Sequence, residues 1–224
     1  MSTVPKSSFD FLKKLAKNNH RDWMQEHKKE YQASEKALKE FYASLEAGLN
    51  INDEISKTKV FRINRDVRFS KDKTPYNIHR SVSFSRAGAH RRGGYYLRLE
   101  PGKSAVAGGF FGPEPADLLR IRKEFEMGAD EIRAILGQKD FKKAFNGFNQ
   151  EYAVKTAPKG FSKEDPNIDL IRLKSYFVVH EFTDAEVLAP DFKNKVLYHF
   201  ELLRPFFDYM SDVLTTDLNG VSTL

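Results

Sequence analysis

The segment VFRINRDVRFSKDKTPY, residues 60–76, concentrates fixed positive charge in a short stretch that contains only two acidic residues. A guanidinium group presents a planar fork of N–H donors that matches the oxygens of a carboxylate or a phosphate. The segment therefore predicts a cationic pocket for a phosphate- or carboxylate-bearing ligand, with an aspartate that orients the arginines. The predicted ligand-binding residues are Arg62, Arg65, Asp66, Arg68, Lys73 and Tyr76.

Apolar and polar residues alternate from Lys59 to Phe69, which predicts an extended strand. A straight strand places Arg65 on the apolar face, between Ile63 and Val67, where an unpaired charge is costly. Arg65 is therefore expected to be buried and paired. Its replacement with alanine should then cost roughly 3–5 kcal/mol, because the change would break a buried ion pair.

Arg62 and Arg68 share the opposite face of that strand, six residues apart. At roughly 3.3 Å per residue their Cα atoms lie about 20 Å apart, too far for both to hold one anion. A shared ligand requires a bend or bulge, most simply near Arg65 and Asp66. Such a bend would turn Arg65 towards the ligand, so this expectation and the burial of Arg65 partly exclude one another.

Whether the pocket also supports catalysis is left open by the sequence. Lys73, Tyr76 and His79 can each transfer a proton if their pKa values are shifted. Neither a GxSxG nucleophile motif nor a glycine-rich phosphate loop of the GxxxxGK[ST] type occurs. The spacing of the histidines does not suggest a metal site, and no cofactor is predicted.

Two alternatives explain the same charges without a small-molecule pocket. The first is sequence-tolerant binding of nucleic acid through a basic hairpin tip, since cations beside aromatic rings suit single strands. Its residues are Arg86, His90, Arg91 and Arg92, with Tyr95 and Tyr96 beside them. The second is a purely structural arginine network in an interaction protein, in which every guanidinium is capped by carboxylates or carbonyls.

The charge balance along the chain supports an anionic partner. Residues 57–98 contain 12 basic and 2 acidic side chains, whereas the rest of the chain has a net charge of −4. A concentrated positive field attracts anions. Cysteine is absent, and no apolar run resembles a signal peptide or a membrane-spanning helix. A cytoplasmic protein with no membrane partner is therefore expected.

Apolar residues recur with a 3.6-residue period in several stretches, which predicts amphipathic helices. The long predicted helices cover Phe9–Ala16, Trp23–Leu49 and about Asp191–Leu214, and shorter ones begin at Pro115 and near Ala129 and Asp140. Asp22 is expected to cap the second helix. Pro205 is expected to kink the last one, because proline lacks the N–H of the helical hydrogen bond.

Alternating segments separated by glycine, proline and charged turns predict antiparallel hairpins. The predicted strands are Lys59–Phe69, Ser81–Ser85, Tyr95–Glu100, Ser104–Phe111 and Arg172–Phe182, with a tight turn at Pro101–Lys103. Together these elements predict an α+β fold over residues 1–224. It would form a single domain in which N-terminal and C-terminal helices cover an antiparallel sheet of hairpins.

The pattern RxxRDxRFxxDKxxY, from Arg62 to Tyr76, resembles the signature of a bacterial family known as domain of unknown function family 2461. The resemblance extends over nearly the whole chain. It includes the segments NNHRDW, GGYYLRLEP, GGFFGPEP, PKGF and LIRLKSYFV. One departure is the sequence GGFF, where the family usually has another glycine and a tryptophan. The resemblance implies that the arginine motif is the hallmark of the family, and it implies no established activity.

Overall fold

The computed structural model describes residues 3–224, and all statements about the fold refer to this part of the chain. The elements in chain order are α1 (Lys6–Lys17), α2 (Arg21–Glu26), α3 (Lys28–Leu49), β1 (Ile55–Val60), β2 (Arg80–Arg86), β3 (Gly94–Leu99), β4 (Ser104–Phe110), α4 (Pro115–Met127), α5 (Asp130–Gly137), α6 (Lys139–Phe145), α7 (Ile168–Ile171), β5 (Tyr176–Phe182), α8 (Asp184–Val187), α9 (Phe192–Leu202) and α10 (Arg204–Thr215). Within this part of the chain, no helix is both long and apolar enough to cross a membrane.

The five strands form one antiparallel sheet in the order β1-β2-β3-β4-β5, so each strand pairs with its neighbours in sequence. Helices precede and follow the strands, which confirms the predicted α+β class. The predicted turn at Pro101–Lys103 joins β3 to β4. Lys103 N donates to Glu100 O at 2.9 Å, and Gly102 adopts φ +77°.

The predicted amphipathic helix at Phe9–Ala16 is confirmed, since α1 covers these residues and buries Phe9, Leu12 and Leu15. The predicted helix Trp23–Leu49 is instead two helices, α2 and α3, separated at His27. The His27 ring stacks on Trp23, and its Nδ1 lies 2.9 Å from Trp23 O. The predicted cap at Asp22 is also wrong, because the side chain of His20 accepts the hydrogen bond from Trp23 N.

The predicted C-terminal helix is interrupted at Leu203, between α9 and α10. Pro205 lies in the first turn of α10, where its missing N–H leaves no helical bond unmade. The predicted kink thus coincides with a one-residue interruption at Leu203, whose backbone keeps right-handed helical dihedral angles (φ −76°, ψ −16°). The predicted strand Arg172–Phe182 is also shorter than expected. β5 begins only at Tyr176, because Arg172 ends α7 and Leu173 N closes a turn onto Leu170 O.

The chain divides into two compact units. Unit 1 comprises the chain up to Phe84 and residues 96–106 and 181–198; unit 2 comprises residues 85–95, 107–180 and 199–224. A core cluster of unit 1 contains Phe11, Leu12, Leu15, Trp23, Met24 and Ile63. In unit 2, Tyr95 packs against Phe200 and Phe207 with ring centroids 5.0 and 5.1 Å apart. A single domain over residues 1–224 remains a prediction.

Candidate functional site

The arginine-rich segment leaves the sheet at Val60, where β1 ends, and does not continue as a strand to Phe69. The chain folds back so that Asn64 and Tyr76 form an isolated antiparallel bridge. Asn77 N donates to Ile63 O at 2.7 Å, next to this bridge. The predicted strand Lys59–Phe69 is therefore wrong beyond Val60, the last residue of β1, and residues 64–76 form a closed loop, here called the arginine loop.

Side chains that bond to the nearby backbone explain why this segment is a loop. Asp66 Oδ1 accepts from Arg68 N at 3.2 Å, and Asp72 Oδ1 accepts from Thr74 N at 2.9 Å. Such bonds give the backbone an alternative to strand pairing. The predicted apolar face is also absent, because Phe69 is 96% exposed at the tip of the loop.

Arg65 spans the arginine loop and is only partly buried. Its Nη1 donates to Asp72 Oδ2 at 2.6 Å, to Thr74 O at 3.0 Å and to the Thr74 hydroxyl. The side chain is 24% exposed and its partner Asp72 is 59% exposed. The prediction of a buried Arg65 is therefore wrong, and the 3–5 kcal/mol expected for a buried pair does not apply to it. Hydrogen bonds from the Thr74 backbone, the Thr74 hydroxyl and Arg65 hold the pKa of Asp72 below its usual value.

Arg68 and Lys73 hold the tip of the arginine loop. Arg68 donates two bonds to the Asp66 carboxylate, Nε to Oδ1 at 3.0 Å and Nη2 to Oδ2 at 2.7 Å. These hydrogen bonds from Arg68 lower the pKa of Asp66, and the charge of Arg62 contributes further. Lys73 Nζ donates to Val67 O at 2.9 Å and to Arg68 O at 3.4 Å. Both cations are thus engaged by the loop itself.

Tyr76 anchors the base of the arginine loop. Tyr76 N donates a hydrogen bond to Asn19 Oδ1 at 3.1 Å, and Asn19 Nδ2 donates one to Tyr76 O at 2.8 Å. The Tyr76 side chain packs against the unit 1 cluster that contains Phe11 and Trp23. Tyr76, predicted as a ligand-binding residue, therefore has a structural role at the base of the loop.

A cavity of about 410 Å³ lies beside the arginine loop within unit 1. It is lined by Phe61, Arg62, Asn64, Arg65, Asp66, Asn77, His79, Ser81 and Tyr96. Three of the six predicted ligand-binding residues therefore lie together on its wall. The other three, Arg68, Lys73 and Tyr76, are not among the lining residues.

Arg62 differs from the other arginines of the motif. Its backbone O accepts from Asn77 Nδ2 at 3.2 Å, which fixes its position beside the cavity. Within residues 3–224, no carboxylate oxygen lies within 4 Å of its guanidinium group, whereas Arg65 and Arg68 each have an aspartate partner. Arg62 is exposed, so its donors are available to a molecule in the cavity.

His79 provides a titratable group on the same wall. It is half-buried, and burial lowers its pKa below the usual value, although the nearby Glu100 carboxylate acts in the opposite direction. The imidazole is therefore predominantly neutral at pH 7. Phe61 and Tyr96 form an aromatic wall with ring centroids 6.0 Å apart. The cavity thus combines one unpaired cation, a neutral imidazole, two amide side chains and an apolar surface.

Sequence reasoning missed the amides, Ser81 and Tyr96 as members of this wall. Asn64 forms the closing bridge of the arginine loop with Tyr76, and Asn77 follows Tyr76 directly, so only the fold-back brings the two amides together. One signal was available for Ser81. It lies two residues after His79 in an alternating segment, and residues i and i+2 of an extended chain share a face.

The predicted basic tip at residues 86–92 is not a free cationic surface. The Arg86 side chain is buried, and its Nη2 donates to Asp208 Oδ1 at 2.8 Å. Arg92 forms an ion pair with Asp117, and Arg92 N donates to Ser211 Oγ at 2.8 Å. The basic hairpin tip proposed for nucleic acid therefore lacks free guanidinium groups at Arg86 and Arg92, because carboxylates distant in sequence neutralise both.

The most deeply buried ion pair of unit 1 was also missed. Arg80 Nη2 donates to Glu35 Oε2 at 2.7 Å and Arg80 Nε to Oε1 at 2.5 Å. The arginine side chain is 4% exposed and the glutamate 17%. The sequence contained a signal, since Glu35 lies four residues after Tyr31 and three before Leu38, on the apolar face of α3.

The family described as conserved hypothetical protein (DUF2461) has a model that matches residues 7–209 of the chain. The match includes the arginine loop and every element from α1 to α9 except the first residue of α1. No curated protein matches the chain, and no solved structure does.

Proposed function

We propose that this chain, which belongs to the DUF2461 family, binds a small phosphate- or carboxylate-bearing molecule in the cavity beside the arginine loop. The observation that carries the proposal is the Arg62 guanidinium, which lines the cavity without a carboxylate partner among residues 3–224. Guanidinium groups favour planar, paired oxygens, so a carboxylate or a phosphate is the best match.

The other wall residues suit an organic anion better than a bare inorganic ion. Asn64, Asn77 and Ser81 offer polar hydrogen atoms, while the rings of Phe61 and Tyr96 offer an apolar surface. A volume of about 410 Å³ lies in the range typical of small-molecule sites. An aromatic or similarly flat group beside the anionic group would use both kinds of surface.

The remaining predicted residues act through the shape of the loop in this proposal. Asp66 and Arg68 neutralise one another, Lys73 ties the loop tip, and Tyr76 fixes its base. A purely structural network accounts for Arg65 and Arg68, but it gives no role to Arg62. Most charged residues of the motif then maintain the shape of the loop, and one of them, Arg62, binds the ligand.

The first prediction tests the role of Arg62. Phenyl phosphate and benzoate, titrated into the protein by calorimetry at low ionic strength, should bind the parent at least about tenfold more tightly than the Arg62→Gln variant. A tenfold loss corresponds to about 1.4 kcal/mol, the scale of one hydrogen bond to a charged group. Arg62 is exposed and unpaired, so the variant should melt like the parent.

Lys71→Gln is the matched control, because Lys71 is an exposed cation of the arginine loop that does not line the cavity. The affinity of this variant for both probes should stay within about twofold of the parent, since an exposed charge outside the cavity contributes little. Equal losses in the two variants would assign the effect to the general positive field. An absence of binding to the parent at millimolar concentration would refute the proposed site.

The second prediction concerns pH. Burial lowers the pKa of free His79, and a bound anion would raise it again, so binding should be accompanied by proton uptake. Affinity for phenyl sulfate, which keeps its charge from pH 5 to 8, should therefore increase as the pH falls below about 6.5. His79→Gln should show a flat profile over that range. A parent profile that is equally flat would contradict the placement of the anion beside His79.

A further inference from the structure

Unit 2 contains a second cavity, of about 510 Å³, which the proposed function does not use. Three of its lining side chains are cations and three are apolar, and none of its lining residues is acidic. The cations are Lys155, Lys163 and Arg172, and the apolar residues are Ala157, Phe161 and Ile168. A cavity with this lining combines positive charge with a hydrophobic surface.

Arg172 is held in place by the chain around it. Its Nε donates to Val154 O at 2.6 Å, and Val154 N donates back to Arg172 O at 2.9 Å. The residue also follows the last turn of α7, and its side chain is half-buried. The position of the guanidinium group is therefore fixed before any ligand arrives, which lowers the entropic cost of binding.

The charge of Arg172 is not neutralised locally. Four other arginines of unit 2 have carboxylate partners, namely Arg86, Arg92, Arg120 and Arg133. Within residues 3–224, no carboxylate oxygen lies within 4 Å of the Arg172 guanidinium or the Lys155 ammonium group. Lys163 has Glu164 at 3.6 Å, but both side chains are at least 80% exposed, so this pair is weak.

We propose that this cavity binds an organic phosphate monoester with a small apolar body. Three cations in a lining that contains no acidic residue suit a phosphate dianion better than a singly charged carboxylate. The terminal N–H groups of Arg172 face two phosphate oxygens in parallel, while the flexible lysines contribute point charges. The apolar body packs against Phe161 and Ile168, which removes their surfaces from water.

Calorimetry with hexyl phosphate, inorganic phosphate and hexanol tests both halves of this ligand. Hexyl phosphate should bind the full chain at least about tenfold more tightly than inorganic phosphate, because it also removes several methylene groups from water. Hexanol should give no measurable heat. Equal affinity for hexyl phosphate and inorganic phosphate would overturn the role of the apolar wall.

Two variants test the cations, and melting curves establish that each is folded. Arg172→Gln should weaken hexyl phosphate at least about tenfold. Because this change also removes the bond to Val154 O, the double variant Lys155→Gln/Lys163→Gln provides a second test with two exposed residues. It should weaken binding by a similar factor. Unchanged affinity in a folded Arg172→Gln protein, or in the double variant if the first does not fold, would overturn the proposal.

Arg133→Gln is the matched control. Arg133 lies in the same unit, pairs with Asp169 at 2.7 Å and does not line the cavity, so affinity should stay within twofold. Repeating the titrations in an Arg62→Gln background removes the contribution of the site beside the arginine loop, and the loss of affinity caused by Arg172→Gln should persist there. Binding to vesicles that contain phosphatidic acid tests whether the phosphate group can belong to a membrane lipid. If the protein binds these vesicles through Arg172 but does not bind hexyl phosphate, the apolar part of the ligand does not lie inside the cavity and the proposal is contradicted.

Discussion

Gly109→Ala should destabilise the protein by about 4 kcal/mol, a cost larger than that of most single substitutions. A Cβ atom at this position would lie 2.3 Å from Tyr176 O and 2.6 Å from Phe177 Cα. Both atoms belong to the backbone of β5, so no side-chain rotation can relieve the overlap. Gly109 also adopts φ +139°, a conformation that side chains rarely tolerate.

Gly102→Ala separates the steric overlap from the backbone conformation. Gly102 also has a positive φ, +77°, but a Cβ atom there would have no neighbour within 4 Å. Its alanine variant should lose only about 1–2 kcal/mol, the usual cost of a left-handed residue. Urea unfolding monitored by circular dichroism gives both values. Similar losses of unfolding free energy in the two variants would contradict the close approach of β4 and β5 at Gly109.

Glu35→Ala should cost roughly 3–5 kcal/mol, because it leaves the buried Arg80 guanidinium without its partner. Arg80 is 4% exposed and donates two bonds to the Glu35 carboxylate. Water cannot replace those bonds at such low exposure, so the charge stays uncompensated. The measurement is again the free energy of unfolding in urea.

Glu30→Ala is the matched control on the same helix. Glu30 pairs with Lys14 at 2.9 Å, but the two side chains are 33% and 54% exposed. Its loss should cost less than about 1 kcal/mol. The double variant Glu35→Leu/Arg80→Met should recover much of the stability lost in Glu35→Ala, since an apolar pair avoids the stranded charge. A single Glu35→Ala cost below about 1 kcal/mol would contradict the burial of the pair.

Several expectations that depend on local sequence agree with the structure. The periodic apolar residues of α1, the proline that begins α4 and the turn at Pro101–Lys103 all lie where the sequence predicted them. The α+β class with an antiparallel sheet is confirmed as well. These features depend on interactions between residues a few positions apart, such as i to i+4 packing on a helix and alternation along a strand.

The role of each arginine was decided by tertiary structure. The alternation of apolar and polar residues around Arg65 predicted a buried strand, but the segment forms a loop. Asp66 and Asp72 accept hydrogen bonds from the nearby backbone, and these bonds replace strand pairing. The buried arginine is instead Arg80, whose partner Glu35 lies 45 residues earlier in the chain. Ion pairing depends on the distance between two charges in space, and this distance cannot be read from the order of positive residues in the sequence.

The sequence by itself thus determined the α+β class, the concentration of positive charge in residues 57–98 and the resemblance to the DUF2461 family. The tertiary structure decided which of those charges are neutralised and which remain available. Arg68 is neutralised by an aspartate two residues away, whereas Arg62 has no carboxylate partner among residues 3–224 and lines a cavity. The physical reason is that availability to a ligand depends on packing, desolvation and the arrival of distant carboxylates, all of which arise only when the chain folds.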